Sequence, residues 1–397
     1  MKLIGSLLLL LTVCSIACAV ENQAFLGIFA ETRVSKMPGM GEMAKMPKEM
    51  LDKIPNIDMM LGKPTRTLNI RLWSPTLAPE GSFAWIAPPD VLKQGPRLDL
   101  ELFRPKPVTP GQDVTPVGPD GKPIKPSEFT IKIYWGSSKT VRPGQPKVYT
   151  FGNMTPEGRA QMQQAAGAMA AMGKMMSSFA PGGRGHGGSG GDYTYKPDWT
   201  TAYWPTEKQP GKIAMDASCV GSFALTTNYT GNVTLPVPSN VTFLDPIDLT
   251  SPNLDEGPDF EKYLPLEWKQ IPNLLGIHGM LMGMEGKSTL ILWFSSEVLT
   301  DEMMATDWDF LQMAEVRDFV AKTIMMKGDT TNADVPEGIF KNCDMVMMQM
   351  IGYGPGAALA EGQPLPRLQT KTTFSSMLGG KAMGGGGRRG GDNGDSE

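Results

Sequence analysis

Apolar and polar residues alternate in three runs of the N-terminal half: Leu68, Ile70 and Leu72; Leu98, Leu100 and Leu102; and Phe129, Ile131, Ile133 and Trp135. A period of two puts each set on one buried face of a strand. The range 65–152 therefore predicts a β-rich domain, interrupted by a Pro- and Gly-rich loop from Pro105 to Pro126. The pattern returns at Leu264, Leu266 and Trp268. Ile277 to Met284 and Ser288 to Ser295 then form two apolar runs around Glu285-Gly286-Lys287, the arrangement of a β-hairpin. Asp301 to Lys327 has helical spacing through Trp308, Leu311 and Phe319, with Gly328 as a stop signal, and predicts one helix near 303–327. Ile339 to Tyr353 reads as a strand broken by Gly354-Pro355-Gly356. The range 192–376 is thus expected to be a second β-sandwich-like domain containing one helix.

Three other segments differ in texture. From 20 to 64, seven methionines from Met37 to Met60 lie among prolines that preclude a long helix, so a linker or strap is expected. From 153 to 191, Met162, Met169, Met172 and Met176 share a helical stripe, and Gly182 to Gly191 follow as a flexible connector. The range 377–397 is Gly-rich and predicts a disordered tail. The expected fold class is mainly β: two β-sandwich-like regions, a Met/Ala-rich helix between them, and one helix inserted in the second.

The N-terminus has its own logic. Lys2, an apolar run from Leu3 to Val13 and the small residues Ala17-Cys18-Ala19 have the order of a secretory signal over 1–19, with cleavage expected after Ala19. Lipidation at Cys18 is the alternative, since Ser15-Ile16-Ala17-Cys18 partly matches a bacterial lipoprotein signal. The run is shorter than the roughly 20 residues of a spanning helix, and no transmembrane segment is expected. Removal of 1–19 leaves 36 basic against 41 acidic groups, a net charge of −5 that disfavours nucleic acid as a partner. Two cysteines, Cys219 and Cys343, then remain, as a disulfide or as two buried thiols.

Candidate chemistry is sparse. With 29 Met against 2 His, the enriched soft ligand is the thioether. Met280, Met282 and Met284 share one face of a strand, Met345 and Met347 repeat that spacing, and Cys343 is close by. Such a set suits Cu(I), although adaptable core packing explains the same stripes. His186 lies in a Gly-rich loop and His278 in an apolar strand, where a solvated or hydrogen-bonded imidazole is expected rather than a general base. No H-E-x-x-H motif occurs, and no catalytic residue and no cofactor are assigned. Asp255, Glu256, Asp259 and Glu261 lack calcium-loop spacing and read as a solvated connector. Trp199, Tyr203 and Trp204, with Tyr193 and Tyr195, are expected to start the second core, although displayed aromatics would suit a sugar or protein partner.

Several blocks resemble an uncharacterised family of exported Gram-negative bacterial proteins: Tyr134-Trp135-Gly136 with Pro143-Gly144-Gln145-Pro146, Leu266 to Asn273, Leu292 to Val298, and Gly338-Ile339-Phe340 with Gly352 to Pro355. The Trp268-to-Pro272 block is also similar to an early strand of fibronectin type III-like domains. The resemblance implies an envelope protein with sandwich-like parts and carries no activity with it. The expected function is therefore that of an exported, non-enzymatic interaction or structural component of the bacterial envelope, periplasmic or secreted, with a protein or glycan as partner. Periplasmic Cu(I) handling is the alternative from another class, and a hydrolase resting on the acidic connector is third.

Overall fold

The computed structural model describes residues 23–36, 46–51, 61–104, 130–150, 199–254, 256–286, 288–306, 308–359 and 364–379, and over these the chain is mainly β. A 15-stranded sheet runs β10 (Val233–Val237), β9 (Gly221–Thr227), β3 (Ala84–Ala87), β4 (Leu98–Phe103), β7 (Thr200–Trp204), β2 (Thr65–Ser74), β1 (Phe25–Lys36), β18 (Leu365–Met377), β17 (Cys343–Ala358), β13 (Gly276–Glu285), β14 (Thr289–Phe294), β5 (Thr130–Trp135) and β6 (Lys147–Thr150). Two short strands, β8 (Lys212–Ile213) and β15 (Met326–Lys327), add to β2 and β13. A separate three-stranded sheet contains β11 (Leu249–Ser251), β12 (Leu264–Trp268) and β16 (Asn332–Val335).

The alternating residues behave as their period requires. Leu68, Ile70 and Leu72 are fully buried in β2, Leu98 and Leu100 are buried in β4, and Ile131 and Ile133 are buried in β5. The expected hairpin is β13 and β14, paired antiparallel from Met280–Phe294 to Glu285–Thr289. Trp199 and Trp204 are buried as expected, while Tyr193 and Tyr195 lie outside the described residues. The ranges 65–152 and 192–376, expected to form two regions, interleave in one sheet. β7 pairs with β2 and β4, β9 pairs with β3, and β14 pairs with β5.

Three expectations are corrected. Residues 25–36 are not strap but β1, flanked by β2 antiparallel and β18 parallel, and Lys48–Leu51 form a one-turn helix, α1. Both faces of β1 are covered, so its apolar residues run on without clean alternation and hide the strand. The one helix near 303–327 is two, α2 (Asp301–Ala305) and α3 (Met313–Ala321), because residues 308–311 are drawn out of helical geometry by bonds to the sheet. Helix α3 begins with the Glu315 carboxylate accepting from the Gln312 N–H at 2.6 Å. Gly354-Pro355-Gly356 does not end the last strand. It makes a bulge between Tyr353 and Gly356, after which β17 resumes pairing with β18. The signal over 1–19, the Met/Ala helix over 153–191 and most of the tail lie outside the described residues, as do 37–45 and 52–60 of the strap.

Among the described residues there are three large apolar cores and a small fourth cluster of Phe29, Trp73 and Trp199. One fills the β1–β4, β7, β9 and β10 half, around Trp204 and Phe223. A second lies between the three-stranded sheet and the β13–β14–β17 half of the large sheet, around Trp268 and Trp293. A third lies on the opposite face of that half, beneath α2 and α3, with Val316 and Phe319 turned inward. No described helix is long and apolar enough to cross a membrane.

Candidate functional site

The sheet registers place the chemistry-bearing side chains on one continuous face. Opposed residues in paired strands point to the same side. His278, Met280, Met282 and Met284 of β13 stand opposite Ile351, Gln349, Met347 and Met345 of β17. Beyond β17, Thr373, Ser375 and Met377 of β18 continue the face, and Glu31 and Arg33 of β1 face Lys371 and Thr373. One half of this face is therefore polar and the other is built of thioethers and rings.

In the polar half, Glu31 is fully buried and accepts from Thr373 Oγ1 at 2.6 Å and from Arg33 Nε and Nη2 at 3.1 and 3.2 Å. Lys371 Nζ stands 3.7 Å from its carboxylate. Burial alone would raise the Glu31 pKa, but the Arg33 and Lys371 charges and the bonds from Thr373 and Arg33 outweigh it and bring the value down to about 2. The β1–β18 junction thus carries an ionised carboxylate at neutral pH.

In the thioether half, register pairs Met282 with Met347 and Met284 with Met345. Met282 and Met347 are buried, whereas Met280, Met284 and Met345 are half-buried. Five of the six residues suited to a soft metal thus share one face. Cys343 does not join them. A bulge between Met284 and Glu285 shifts the register, and the Cys343 thiol packs on the other face, where a Cβ on Gly283 would lie 2.6 Å from its Sγ and 2.9 Å from Phe340. Of the two readings of Cys219 and Cys343, a disulfide or two buried thiols, the structure has the second, with the thiols in different cores. Cys219 donates to the Val241 carbonyl at 3.4 Å, and burial pushes its pKa up to about 11.

His278 also departs from expectation. It is 3% exposed, and neither imidazole nitrogen has a hydrogen-bond partner among the described residues. Its ring stacks on Trp308 at 3.8 Å and 5°, with Phe294 at 6.0 Å. Burial lowers its pKa to about 3; the Ile324 backbone opposes that shift without reaching hydrogen-bond geometry.

Residues 308–311 lie across the seam between the halves. Trp308 stacks on His278, Asp309 accepts from Lys371 Nζ through its carbonyl at 3.0 Å, Phe310 packs edge-on against Phe29 and Trp73, and the Leu311 N–H donates to Tyr353 Oη at 3.3 Å. Tyr353 Oη in turn donates to the Trp308 carbonyl at 2.6 Å. Glu31, Arg33, Lys371 and Asp309 were missed in the sequence. The available signal was Glu31 and Lys371 inside otherwise apolar or Thr-rich runs, because a charge in such a run demands a buried partner.

The acidic connector is solvated where described: Glu256, Asp259 and Glu261 are exposed, with Asp259 paired to Lys262, and Asp255 is outside the described residues. Among the described residues, no three His, Cys, Asp or Glu side chains are grouped to hold a metal ion. Compared with known proteins, the chain matches no family model and no curated protein.

Proposed function

We propose that the chain is an exported, non-enzymatic interaction component of a bacterial envelope, released by cleavage after Ala19, with lipidation at Cys18 as the alternative, and related to the exported Gram-negative family that its blocks resemble. The observation carrying this reading is a rigidly held apolar corner. Leu77, Phe83 and Phe103 are 59%, 45% and 40% exposed. Arg104, next to Phe103, donates to the Ala78 and Pro79 carbonyls at 2.9 and 2.7 Å, while the Asn228 side chain accepts from the Phe83 N–H at 2.9 Å. Large apolar groups held on a pinned loop present contact area with little ordering cost, which suits binding a protein surface.

The test is affinity isolation from the native envelope, wild type beside a Leu77→Asp/Phe83→Asp/Phe103→Asp variant whose circular dichroism matches wild type. A discrete partner held by wild type and lost by the variant is expected. Equal recovery with both proteins, or no partner with either, contradicts the proposal.

A further inference from the structure

We propose that His278, Met280 and Met325 form a binding site for one Cu(I) ion on the helix-covered face of β13. This site is independent of the envelope reading and stands on its own geometry. Met325 is 2% exposed and its Sδ lies over Gly276, where a Cβ would approach within 2.5 Å of it. Gly276, His278 and Met280 are consecutive positions on one face of β13, about 7 Å apart along a strand. Met325 Sδ at position 276 and Met280 at position 280 therefore lie on the same face as His278, one on each side of it along the strand. Only glycine at 276 lets Met325 approach so closely.

The imidazole carries the chemical case. A buried polar ring normally finds hydrogen-bond partners, and His278 has none among the described residues. The ring is held in place by its Trp308 stack. An imidazole with two thioethers is a soft donor set that suits Cu(I) rather than magnesium or calcium. A singly charged ion also costs less to desolvate in this apolar layer than a divalent one. Of the set expected from the sequence it keeps Met280 and leaves out Met282, Met284, Met345, Met347 and Cys343, the last of which lies on the opposite face, and it adds His278 and Met325.

The full chain, with Cu(I) supplied under ascorbate and no oxygen, is titrated against a chromophoric Cu(I) chelator. One equivalent is expected to be retained, and X-ray absorption should show one nitrogen and two sulfur scatterers. His278→Phe, which keeps a ring beside Trp308, and Met280→Leu/Met325→Leu should each weaken retention by at least about tenfold, while Cys343→Ser leaves it unchanged. Circular dichroism and urea midpoints confirm that the variants fold; the conservative Met pair carries the test if His278→Phe does not. Failure of wild type to hold Cu(I) against the chelator, sulfur-only scattering, retention by folded His278→Phe or Met280→Leu/Met325→Leu equal to wild type, or loss in Cys343→Ser overturns the proposal.

Discussion

The two halves of the sheet face, separated by residues 308–311, handle buried polarity in opposite ways. Around β1 and β18, Glu31, Arg33, Lys371 and Thr373 satisfy one another, and Asp309 reaches across to Lys371. Around β13 and β17, a buried imidazole stands among thioethers and rings without a hydrogen bond from the described residues. Closed polar clusters hold strands together, because each charge is compensated where it is buried. An incompletely satisfied polar group at a packed position instead marks a place where something else can bind. The same sheet thus offers a fastener on one side of the seam and a candidate ligand site on the other.

The sharpest way to break the comparison is to open the fastener. Glu31→Gln leaves the Arg33 and Lys371 charges without the buried carboxylate between them and should cost about 3–5 kcal/mol in urea unfolding. Glu31→Gln/Lys371→Met should recover part of that loss, as it removes one of the two cations, Arg33 and Lys371, that Glu31→Gln leaves beside a neutral amide. Acid titration comes next, and the halves should fail in different windows. His278 has its folded pKa lowered from 6.5 to about 3, so the unfolded chain binds the extra proton and stability falls as pH drops through that range. The slope reaches about 1.4 kcal/mol per pH unit. Glu31, lowered from 4.5 to about 2, adds its own loss only below about pH 4.5. His278→Phe should therefore flatten the wild-type decline between pH 6.5 and 4.5, read from urea midpoints, and leave only the Glu31 part of the decline below it.

A smaller effect sharpens the contrast between the two faces of β13. Gly283→Ala would press a methyl against Cys343 and Phe340 on the second core, at a cost of about 1–3 kcal/mol in thermal or urea unfolding. The smallest change is at the surface. Lys132→Ala removes a partly exposed 2.7 Å pair with Glu285 and should cost about 0.2–1 kcal/mol, readable as a urea-midpoint shift far smaller than that of Glu31→Gln.

Much of the strand content was legible because one face of β4, β5 and β12 is buried and the other is less covered, and in β2 the polar Asn69 and Arg71 separate the apolar positions, so their periods survive in the sequence. β1 was not legible, because burial on both faces erases alternation and the neighbouring Met/Pro composition masked what remained. The methionine face of β13 and β17 was legible as spacing, yet its true companions were not. His278 gains its meaning from Trp308, which is 30 residues away in sequence, and Met325 from Gly276 beneath it. Cys343 looked close to Met345 in sequence but is turned away by a one-residue bulge, and such shifts flip every later side chain. The interleaving of β7 and β9 among the earlier strands depends on long-range pairing that local pattern does not record.

That the chain binds a protein through its apolar corner is tested most directly by photo-crosslinking in the native envelope, with the crosslinker placed at Phe83 or, as a control, at Val148 on edge strand β6. Val148 is 53% exposed at the far end of the sheet and provides equal access without the corner. A discrete adduct from Phe83 and none from Val148 is the predicted result. No adduct from Phe83, or the same adducts from both positions, would contradict it.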